Sequence, residues 1–419
     1  MRTVVLGAGA VGTATAFHLA ARHGHEVTVI ERQPEAALET SWGNGGVIHA
    51  SEVEPWSQPG MPRKIIGWLG QENAPLLLRY GAIPHMWRWG LAFARNCTPE
   101  RFRRNAEANL RLALLSLATL QELRAETGIA YDLGTRGVLK IYRSRPSLDA
   151  AAASCRHLER HGLQFEVVDP ARCVAIDPAL ASTEKTLAGA LYFARDEVGD
   201  CNKFTQGLAA WSAARHGVAF RYGTTVRGLE MVDGRVGAVI TDAGRVPADN
   251  VVAAMGSFTP LLLRQVGLRP AIYPVKGVSI TVKSAGWPGA LRTPVIDDSG
   301  LYGLVPIGDR LRVSGSAEIT GYDTTPSRVR CQAIIDKVVA AFPDFRRCFD
   351  PRTARFWAGL RPVTPSGTPC LGRTPISNLF INAGHGHLGW TLACGSGRVV
   401  AAIVAGADPG LDLTGFRGA

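Results

Sequence analysis

The chain has 419 residues, of which 46% are hydrophobic and 19% are charged, a composition typical of a globular protein with a sizeable core. Its formal net charge is +11, yet it contains no run of Lys and Arg and no nucleic-acid recognition motif, so we expect no nucleic-acid partner. There is no Cys-x-x-Cys pair, no secretory signal pattern and no apolar run of the ~18 residues that a spanning helix needs. We therefore predict a cytoplasmic protein with reduced thiols and no metal site.

The first thirty residues predict a strand, a glycine-rich turn, a helix and a second strand. The turn reads Gly7-Ala8-Gly9-Ala10-Val11-Gly12, and the second strand, Glu26 to Ile30, ends at Glu31. Glycines at this spacing let the backbone approach a pyrophosphate, which the N-terminus of the helix attracts. Glu31 lies 19 residues after Gly12, where an acid accepts hydrogen bonds from ribose hydroxyls. The pattern predicts dinucleotide binding and leaves NAD and FAD open.

A second glycine-rich segment, Thr40 to Val47, follows the second strand and reads TSWGNGGV. Its backbone N–H groups are suited to line a pyrophosphate and the edge of a flavin. A plain surface loop is the alternative interpretation.

Residues 61–104 carry eight basic and two acidic side chains, interleaved with Trp68, Trp87 and Trp89. Basic residues among tryptophans and leucines are typical of a segment that lies on an anionic lipid surface. The other interpretation is a solvated helical face whose tryptophans point into the core.

Further along the chain, the apolar spacing predicts a helix over Asn105 to Thr127. Phe220 to Ile240 alternates as a strand pair around the hairpin signal Asp233-Gly234. Asn250 to Ser257 then predicts a buried strand that ends on glycine, which is typical of a strand returning to a nucleotide-binding sheet.

Near the C-terminus the segment GHGHLGWT, Gly384 to Thr391, precedes a strongly helical stretch. His385 and His387 are two residues apart, on opposite sides of an extended segment, with no cysteine or acidic cluster beside them. A zinc site is therefore disfavoured. The pattern favours a backbone cradle for a cofactor, assisted by the positive end of the following helix.

These motifs, together with PWSQPGMPRK, YPVKGVSIT and FWAGLRPVTPSGTPCLGRTP, resemble those of the FAD-dependent oxidoreductases of the D-amino-acid oxidase superfamily. The resemblance spans nearly the whole chain and is greatest to the bacterial D-amino acid dehydrogenases. It implies an α/β fold with a Rossmann-type FAD-binding domain and an α+β substrate domain built on an antiparallel sheet. We expect residues 1–48, 190–268 and 362–419 to form the FAD-binding domain, and residues 49–189 and 269–361 the substrate domain.

The resemblance also implies where the substrate binds. Arg361, between Gly359-Leu360 and Pro362, matches the arginine that binds the substrate carboxylate in related amino-acid oxidases; a structural ion pair is the alternative. Tyr302 stands on a predicted strand where glycine- and sarcosine-oxidase-like relatives carry a carboxylate-binding tyrosine, and a half-buried strand tyrosine is its alternative.

Three further residues are candidates on the substrate side. His49 and Glu52 follow the second glycine-rich segment, where they would shape specificity or serve as satisfied polar groups at a domain seam. Lys276 would point toward the ring of the cofactor or into solvent. The candidate cofactor-binding residues are Gly7, Ala8, Gly9, Ala10, Val11, Gly12, Glu31, Arg32, Ser41, Asn44, Gly45, Gly46, Val47, Val226, Gly256, Gly386, His387, Leu388, Gly389, Trp390 and Thr391.

The expected reaction is oxidative deamination of D-amino acids by hydride transfer to FAD, with electrons passed to a quinone or another respiratory acceptor. An enzyme for cyclic or secondary amino acids such as D-proline, hydroxy-D-proline or sarcosine is the first alternative. A non-catalytic FAD-binding subunit and an NAD-dependent dehydrogenase are the others. The expected partners are a small amino or imino acid, an electron acceptor and, on the lipid interpretation, the cytoplasmic face of the inner membrane.

Overall fold

The structure is a computed structural model that describes residues 1–72 and 74–418. Its helices are α1 (Ala10–His23), α2 (Met61–Trp68), α3 (Ile83–Asn96), α4 (Pro99–Thr127), α5 (Arg145–Glu159), α6 (Pro170–Ile176), α7 (Cys201–His216), α8 (Thr259–Leu263), α9 (Arg328–Ala341) and α10 (Gly389–Ala405). The first ten strands are β1 (Arg2–Leu6), β2 (Glu26–Ile30), β3 (Val47–Ile48), β4 (Leu76–Leu78), β5 (Val138–Tyr142), β6 (Glu166–Val168), β7 (Gly189–Phe193), β8 (Glu197–Val198), β9 (Ala219–Arg221) and β10 (Val226–Val232). The remaining strands are β11 (Arg235–Thr241), β12 (Gly244–Pro247), β13 (Asn250–Ala253), β14 (Tyr273–Lys283), β15 (Val295–Asp297), β16 (Tyr302–Ile307), β17 (Arg310–Ile319), β18 (Arg355–Val363), β19 (Cys370–Arg373) and β20 (Leu379–Ala383).

The N-terminal motif folds into a six-stranded sheet with the order β19-β20-β13-β1-β2-β9. β1 pairs in parallel with β2 on one side and β13 on the other, and only β19 runs antiparallel. The central strands are mostly apolar because both faces of the sheet are covered, one by α1 and α10 and the other by the three-stranded sheet β10–β12 and α8. The predicted strand–turn–helix–strand and the predicted strand at Asn250 are confirmed.

A nine-stranded mixed sheet forms the second layer of the molecule. Most of its pairs are antiparallel, including the long strands β14, β17 and β18. Its outer face packs on α9 around Val313, Ile335 and Phe342, which are fully buried. The predicted combination of a Rossmann-type sheet with an antiparallel sheet is therefore confirmed.

Two smaller features also match expectation. β10 and β11 form the predicted hairpin, and Asp233 (φ 48°) and Gly234 (φ 74°) adopt the positive φ angles of its tight turn. α4 covers the helix predicted from residue 105 and starts earlier, where the Thr98 side chain accepts a hydrogen bond from the Arg101 N–H.

The C-terminal helix α10 lies in the core between α1 and α4. A Cβ on Gly395 would lie 2.8 Å from Ser116 Cα, and one on Gly397 would lie 2.8 Å from the Ala14 carbonyl carbon, so both glycines permit close helix packing. The segment Gly386–Ala405 is long and apolar enough to span a membrane, contrary to expectation, but 78% of its most apolar window is buried in the protein. Its hydrophobicity is accounted for by core packing.

The expected boundary at residue 190 falls inside β7, which pairs with β5 and β6 of the large sheet. Likewise, β18 continues past the boundary at residue 361 to Val363. Helix α4, placed by expectation in the substrate domain, packs against α10. The division into an FAD-binding and a substrate domain stays a prediction.

Candidate active site

A deep cleft with a volume of about 510 Å³ runs between the two large sheets. One end is lined by the turn after β1 and by Glu31 and Arg32, and the other end by β14, β18 and the start of α10. Seventeen of the candidate cofactor residues line it: Gly7, Gly9, Ala10, Val11, Glu31, Arg32, Ser41, Asn44, Gly45, Gly46, Val47, Val226, Gly256, Gly386, His387, Gly389 and Trp390. The fold thus brings segments separated by more than 300 residues into one elongated site.

The turn after β1 has the geometry of a phosphate cradle. A Cβ on Gly12 would lie 1.9 Å from the Gly7 carbonyl oxygen, and Gly7 itself adopts φ +100°. The N-terminus of α1 therefore approaches the turn as closely as glycine allows, the arrangement in which a helix N-terminus favours a phosphate.

Glu31 closes this end of the cleft. Its carboxylate accepts hydrogen bonds from the Ala8 N–H (2.8 Å) and the Gln33 N–H (2.9 Å). Burial raises the pKa of Glu31, and the two N–H donors oppose that effect. The guanidinium of Arg32 lies 3.9 Å from the centroid of the Phe258 ring, which adds a flat cationic and aromatic surface to the same end.

The second glycine-rich segment lines the cleft wall. Ser41 Oγ accepts a hydrogen bond from the Ala10 N–H (3.2 Å), which links this segment to the start of α1. Asn44 Oδ1 accepts a hydrogen bond from the Gly46 N–H (2.9 Å), and the backbone carbonyl of Asn44 accepts a hydrogen bond from the Arg312 guanidinium (2.9 Å). The plain surface loop is therefore excluded for this segment.

The two histidines of GHGHLGWT have different environments. His385 is buried, with Nε2 3.0 Å from Ser396 Oγ, and burial lowers its pKa to about 3. His387 Nε2 lies 3.2 Å from the Glu52 carbonyl oxygen, and its ring stacks on Trp56 at 5.3 Å. α10 begins at Gly389, earlier than the start predicted after residue 391, so its first turn stands at the cleft.

Arg361 lies at the inner end of the cleft, on the same face of β18 as Trp357 and Gly359. Among the residues that the structure describes, no carboxylate lies within 4.0 Å of its guanidinium; its one hydrogen bond goes to the Ser316 carbonyl (3.1 Å). Burial lowers the pKa of Arg361 to about 10, so it stays protonated near neutral pH. A buried cation without an acidic partner is costly unless an anionic ligand binds it. The structural ion pair considered for Arg361 does not occur within the described part of the chain.

His49 also lines the cleft. Its backbone N–H donates to Thr391 Oγ1 (3.2 Å), and its ring atom Nδ1 is buried without a hydrogen-bond partner in the described part of the chain. Burial lowers the pKa of His49 to about 4, so the ring is neutral at physiological pH.

Glu52 lies behind the cleft wall and does not line it. Its carboxylate forms a 2.6 Å salt bridge with Lys140. A polar group satisfied in this way at a domain seam was one of the two interpretations of Glu52 from the sequence. Burial would raise the pKa of Glu52, but Lys140 outweighs it and holds the pKa below its usual range. Of the two interpretations of Glu52, this salt bridge favours the satisfied polar group at the seam.

Tyr302 and Lys276 both point away from the cleft. Successive side chains of a strand alternate between its faces, and Gly303 and Val305, not Tyr302, line the cleft. The Tyr302 hydroxyl instead donates to Asp297 (3.3 Å) in the core, and Lys276 Nζ pairs with Asp323 (2.7 Å) and Glu318 (3.5 Å). The catalytic roles predicted for these two residues are wrong, because the pleat places both on the opposite face of the large sheet.

Four candidate cofactor residues lie outside the cleft lining: Ala8, Gly12, Leu388 and Thr391. Ala8 and Leu388 are packed in the core, Gly12 sets the backbone turn, and Thr391 holds His49. Sequence reasoning missed Trp357, Ser314 and Phe258, which do line the cleft. The alternation of side chains along a strand would have identified Trp357, because it precedes Arg361 by four residues and so lies on the same face of β18.

The chain is similar to known proteins along nearly its whole length. Residues 2–403 match the family model described as FAD dependent oxidoreductase. The chain belongs to this family. It is 46% identical to a D-amino acid dehydrogenase of Paramagnetospirillum magneticum over 99% of this chain and 98% of that one. It is 45% identical to a D-amino acid dehydrogenase of Methylobacterium nodulans over 100% of this chain and 99% of that one.

Solved structures share the fold. Glycine oxidase from Geobacillus kaustophilus superposes with a TM-score of 0.78 at 24% identity, covering 99% of this chain and 98% of that one. L-proline dehydrogenase from P. horikoshii gives a TM-score of 0.75 at 20% identity, covering 97% and 96%. At these identities the likeness concerns the fold alone.

FAD is therefore the cofactor of this FAD-dependent oxidoreductase, and the NAD alternative is wrong. The cleft fits it: Gly7 and Gly12 permit the tight turn after β1, Gly9 and Ala10 of that turn line the cleft, and an acid stands at the end of β2. The elongated shape continues past the pyrophosphate position to β14 and β18, where the larger ring system of a flavin would be held.

Proposed function

We propose that this flavoenzyme oxidises D-amino acids to 2-oxo acids and passes the electrons to a quinone or another respiratory acceptor. The observation that carries the proposal is Arg361, a protonated guanidinium inside the cleft with no carboxylate beside it among the described residues. The D-amino acid dehydrogenases at 45–46% identity support the choice of substrate.

Arg361 would bind the substrate carboxylate through two parallel N–H donors, a geometry that guanidinium groups favour. Gly277, on β14, leaves the room that the guanidinium occupies: a Cβ there would lie 2.0 Å from Arg361 Nη1. The Trp56 ring lies 5.7 Å from the guanidinium carbon and shields one side of it from water. Arg361 is thus fixed in place before substrate arrives, which lowers the cost of ordering it on binding.

His49 would line the substrate pocket as an uncharged group. Its pKa of about 4 keeps the ring neutral at physiological pH, so it places no positive charge beside the bound substrate. The amine enters as the free base, so no protein general base is needed to remove a proton before the C–H bond breaks. The resulting imino acid is hydrolysed by water to the 2-oxo acid and ammonia.

FAD, when bound, supplies the acceptor for the hydride of the substrate α-carbon. Gly386 to Trp390 would hold the ring system, with the first turn of α10 placing its positive end against developing negative charge. The Gly7–Gly12 turn and Glu31 would hold the pyrophosphate and the ribose. A location on the cytoplasmic face of the membrane belongs to this proposal, because a quinone is dissolved in lipid.

The test uses purified yellow protein with a soluble dye acceptor and a panel of D- and L-isomers of amino acids, together with D-proline, hydroxy-D-proline and sarcosine. The proposal expects dye reduction with several primary D-amino acids and little with their L-isomers. Dye reduction with the secondary amines alone would show that the enzyme acts on cyclic or secondary amino acids instead. FAD binding without dye reduction by any amine would instead favour a non-catalytic subunit.

A further inference from the structure

Helices α2 and α3 expose an unusual concentration of large apolar side chains. Among the described residues, fifteen large hydrophobic side chains are exposed, and six of them fall between residues 66 and 91. We call these six the α2–α3 face: Ile66 (67% exposed), Leu69 (39%), Tyr80 (67%), Ile83 (39%), Trp87 (55%) and Leu91 (47%).

The six side chains are organised by the backbone. Ile83, Trp87 and Leu91 recur every four residues, so they form one stripe along the outer side of α3. The opposite side of α3 buries Met86 and Phe93. The Tyr80 hydroxyl lies 3.5 Å from the Cβ position of Gly70, which connects the end of α2 to the start of α3.

Helix α2 buries none of its eight residues, although Ile65, Ile66 and Trp68 are among them. A helix shorter than about 12 residues is marginal in water without packing. An amphipathic helix of this kind is typical of a segment that gains its packing from a surface outside the protein.

The charge around the face selects the kind of surface. Arg63, Lys64, Arg88 and Arg95 are exposed, and none of them forms a salt bridge within the described residues. In contrast, Arg79 pairs with Glu72. Exposed tryptophan and leucine beside unneutralised Arg and Lys match the apolar interior and anionic headgroups of a lipid surface.

The face is also one layer of side chains away from the substrate arginine. The inner side of α3 presents Trp89, whose Nε1 donates to the Val363 carbonyl (2.9 Å), two residues after Arg361 on β18. Trp56 packs in the same apolar cluster and stacks on His387 at the cleft.

We infer that the α2–α3 face docks the enzyme on an anionic lipid bilayer, which brings the flavin end of the cleft close to an acceptor dissolved in that bilayer. The lipid contact stands on the face alone; only the use of a quinone there rests on the proposed function. The sequence left two interpretations of this segment, a lipid-facing surface or tryptophans that point into the core. Trp89 points into the protein, whereas Trp87 faces outward.

The first experiment is flotation of the purified FAD-loaded enzyme with vesicles at about 0.15 M salt. We expect binding to vesicles that contain phosphatidylglycerol and weak binding to pure phosphatidylcholine. The apolar contribution is tested by Ile66→Glu with Trp87→Glu. Its matched control is Val232→Glu with Val329→Glu, two equally charged changes at residues 49% and 71% exposed elsewhere on the surface. The face variant should bind at least 10-fold more weakly, and the control should bind as the wild type does.

The charge contribution is tested by Arg63→Gln, Lys64→Gln and Arg88→Gln together. Each basic residue at an anionic surface strengthens binding roughly fivefold, so the triple variant should lose roughly 100-fold. The control removes three exposed basic residues elsewhere, by Arg235→Gln, Lys283→Gln and Arg346→Gln. Equal losses in both triple variants would overturn the inference and assign the binding to the net charge of +11.

Two further outcomes would overturn the inference. One is the absence of binding to anionic vesicles. The other is a dimer, measured by light scattering, that Ile66→Glu with Trp87→Glu separates, because the face would then bind a second copy. All variants should reduce a soluble dye with D-amino acids at the wild-type rate. Because flotation needs no turnover, a failure of the lipid contact and a failure of the proposed activity are measured separately.

Discussion

The guanidinium of Arg361 occupies the space that a side chain on Gly277 would fill. The two residues lie on the neighbouring strands β14 and β18, and a Cβ on Gly277 would lie 2.0 Å from Nη1 and 2.3 Å from the central carbon of the guanidinium. The strand pair therefore holds Arg361 over a gap that only glycine leaves.

Gly277→Ala should displace the guanidinium and impair substrate binding. We expect KM for the D-amino acid to rise by about 10-fold or more, because the carboxylate contact is charge-assisted and depends on its geometry. The FAD content, read from the visible spectrum, should not change. Gly81→Ala is the control, since nothing lies within 4 Å of its Cβ position. An unchanged KM would show that Arg361 reaches the substrate from another position.

Arg361→Ala should remove the carboxylate contact altogether. The variant should bind FAD but lose about 100-fold or more in kcat/KM, the amount expected for a contact worth ~3 kcal/mol. Arg361→Lys should recover only part of this loss, because an ammonium lacks the two parallel donors. Arg346→Ala, at an exposed position, serves as the control. A wild-type rate in Arg361→Ala would remove this residue from the substrate site.

Gly12→Ala should disrupt the turn that receives the pyrophosphate. Its Cβ would lie 1.9 Å from the Gly7 carbonyl oxygen, so the start of α1 must shift, at a cost of about 1–3 kcal/mol. We expect a lower melting temperature and protein purified with little FAD. Gly67→Ala, whose Cβ position is open, should leave both quantities unchanged. A Gly12→Ala protein with full FAD content would contradict the cradle.

Asp196 gives a prediction about pH and stability. Its carboxyl group accepts hydrogen bonds from the Ala50 N–H (3.1 Å) and the Ser51 hydroxyl, and burial raises its pKa from 3.8 to about 7. A folded-state pKa above the unfolded value means that stability falls as pH rises from about 4 to about 7. Asp196→Asn keeps a neutral group there and should flatten this decline.

The measurement is urea unfolding of the wild type, Asp196→Asn and the control Asp309→Asn between pH 5 and pH 8. Relative to the wild type, Asp196→Asn should gain stability at pH 8 compared with pH 5, while Asp309→Asn, whose side chain is 83% exposed, should not. The same pH dependence in all three proteins would show that Asp196 is not the titrating group.

The sequence by itself determined the nucleotide-binding half of the site. Glycine spacing, the strand after it and Glu31 act within a short stretch of chain, where backbone sterics alone dictate the turn. The segments at residues 40–47 and 384–391 were identified for the same reason, because a concentration of glycines marks a backbone that approaches something closely. Arg361 came from a resemblance over nearly the full length of the chain.

The tertiary structure decided the substrate half and the outer surface. Whether Tyr302 or Gly303 faces the cleft depends on the pleat of β16 and on which side of the sheet α9 covers, and a shift of one residue reverses the answer. Glu52 and Lys276 were decided by partners far away in the chain, Lys140 and Asp323. Likewise, α3 has apolar residues on both sides, and only packing against Trp56 and Tyr273 fixes which side stays exposed. The conformation of a glycine-rich turn depends on residues that are neighbours in the sequence. The direction in which a side chain points depends on contacts that form only when distant strands and helices meet.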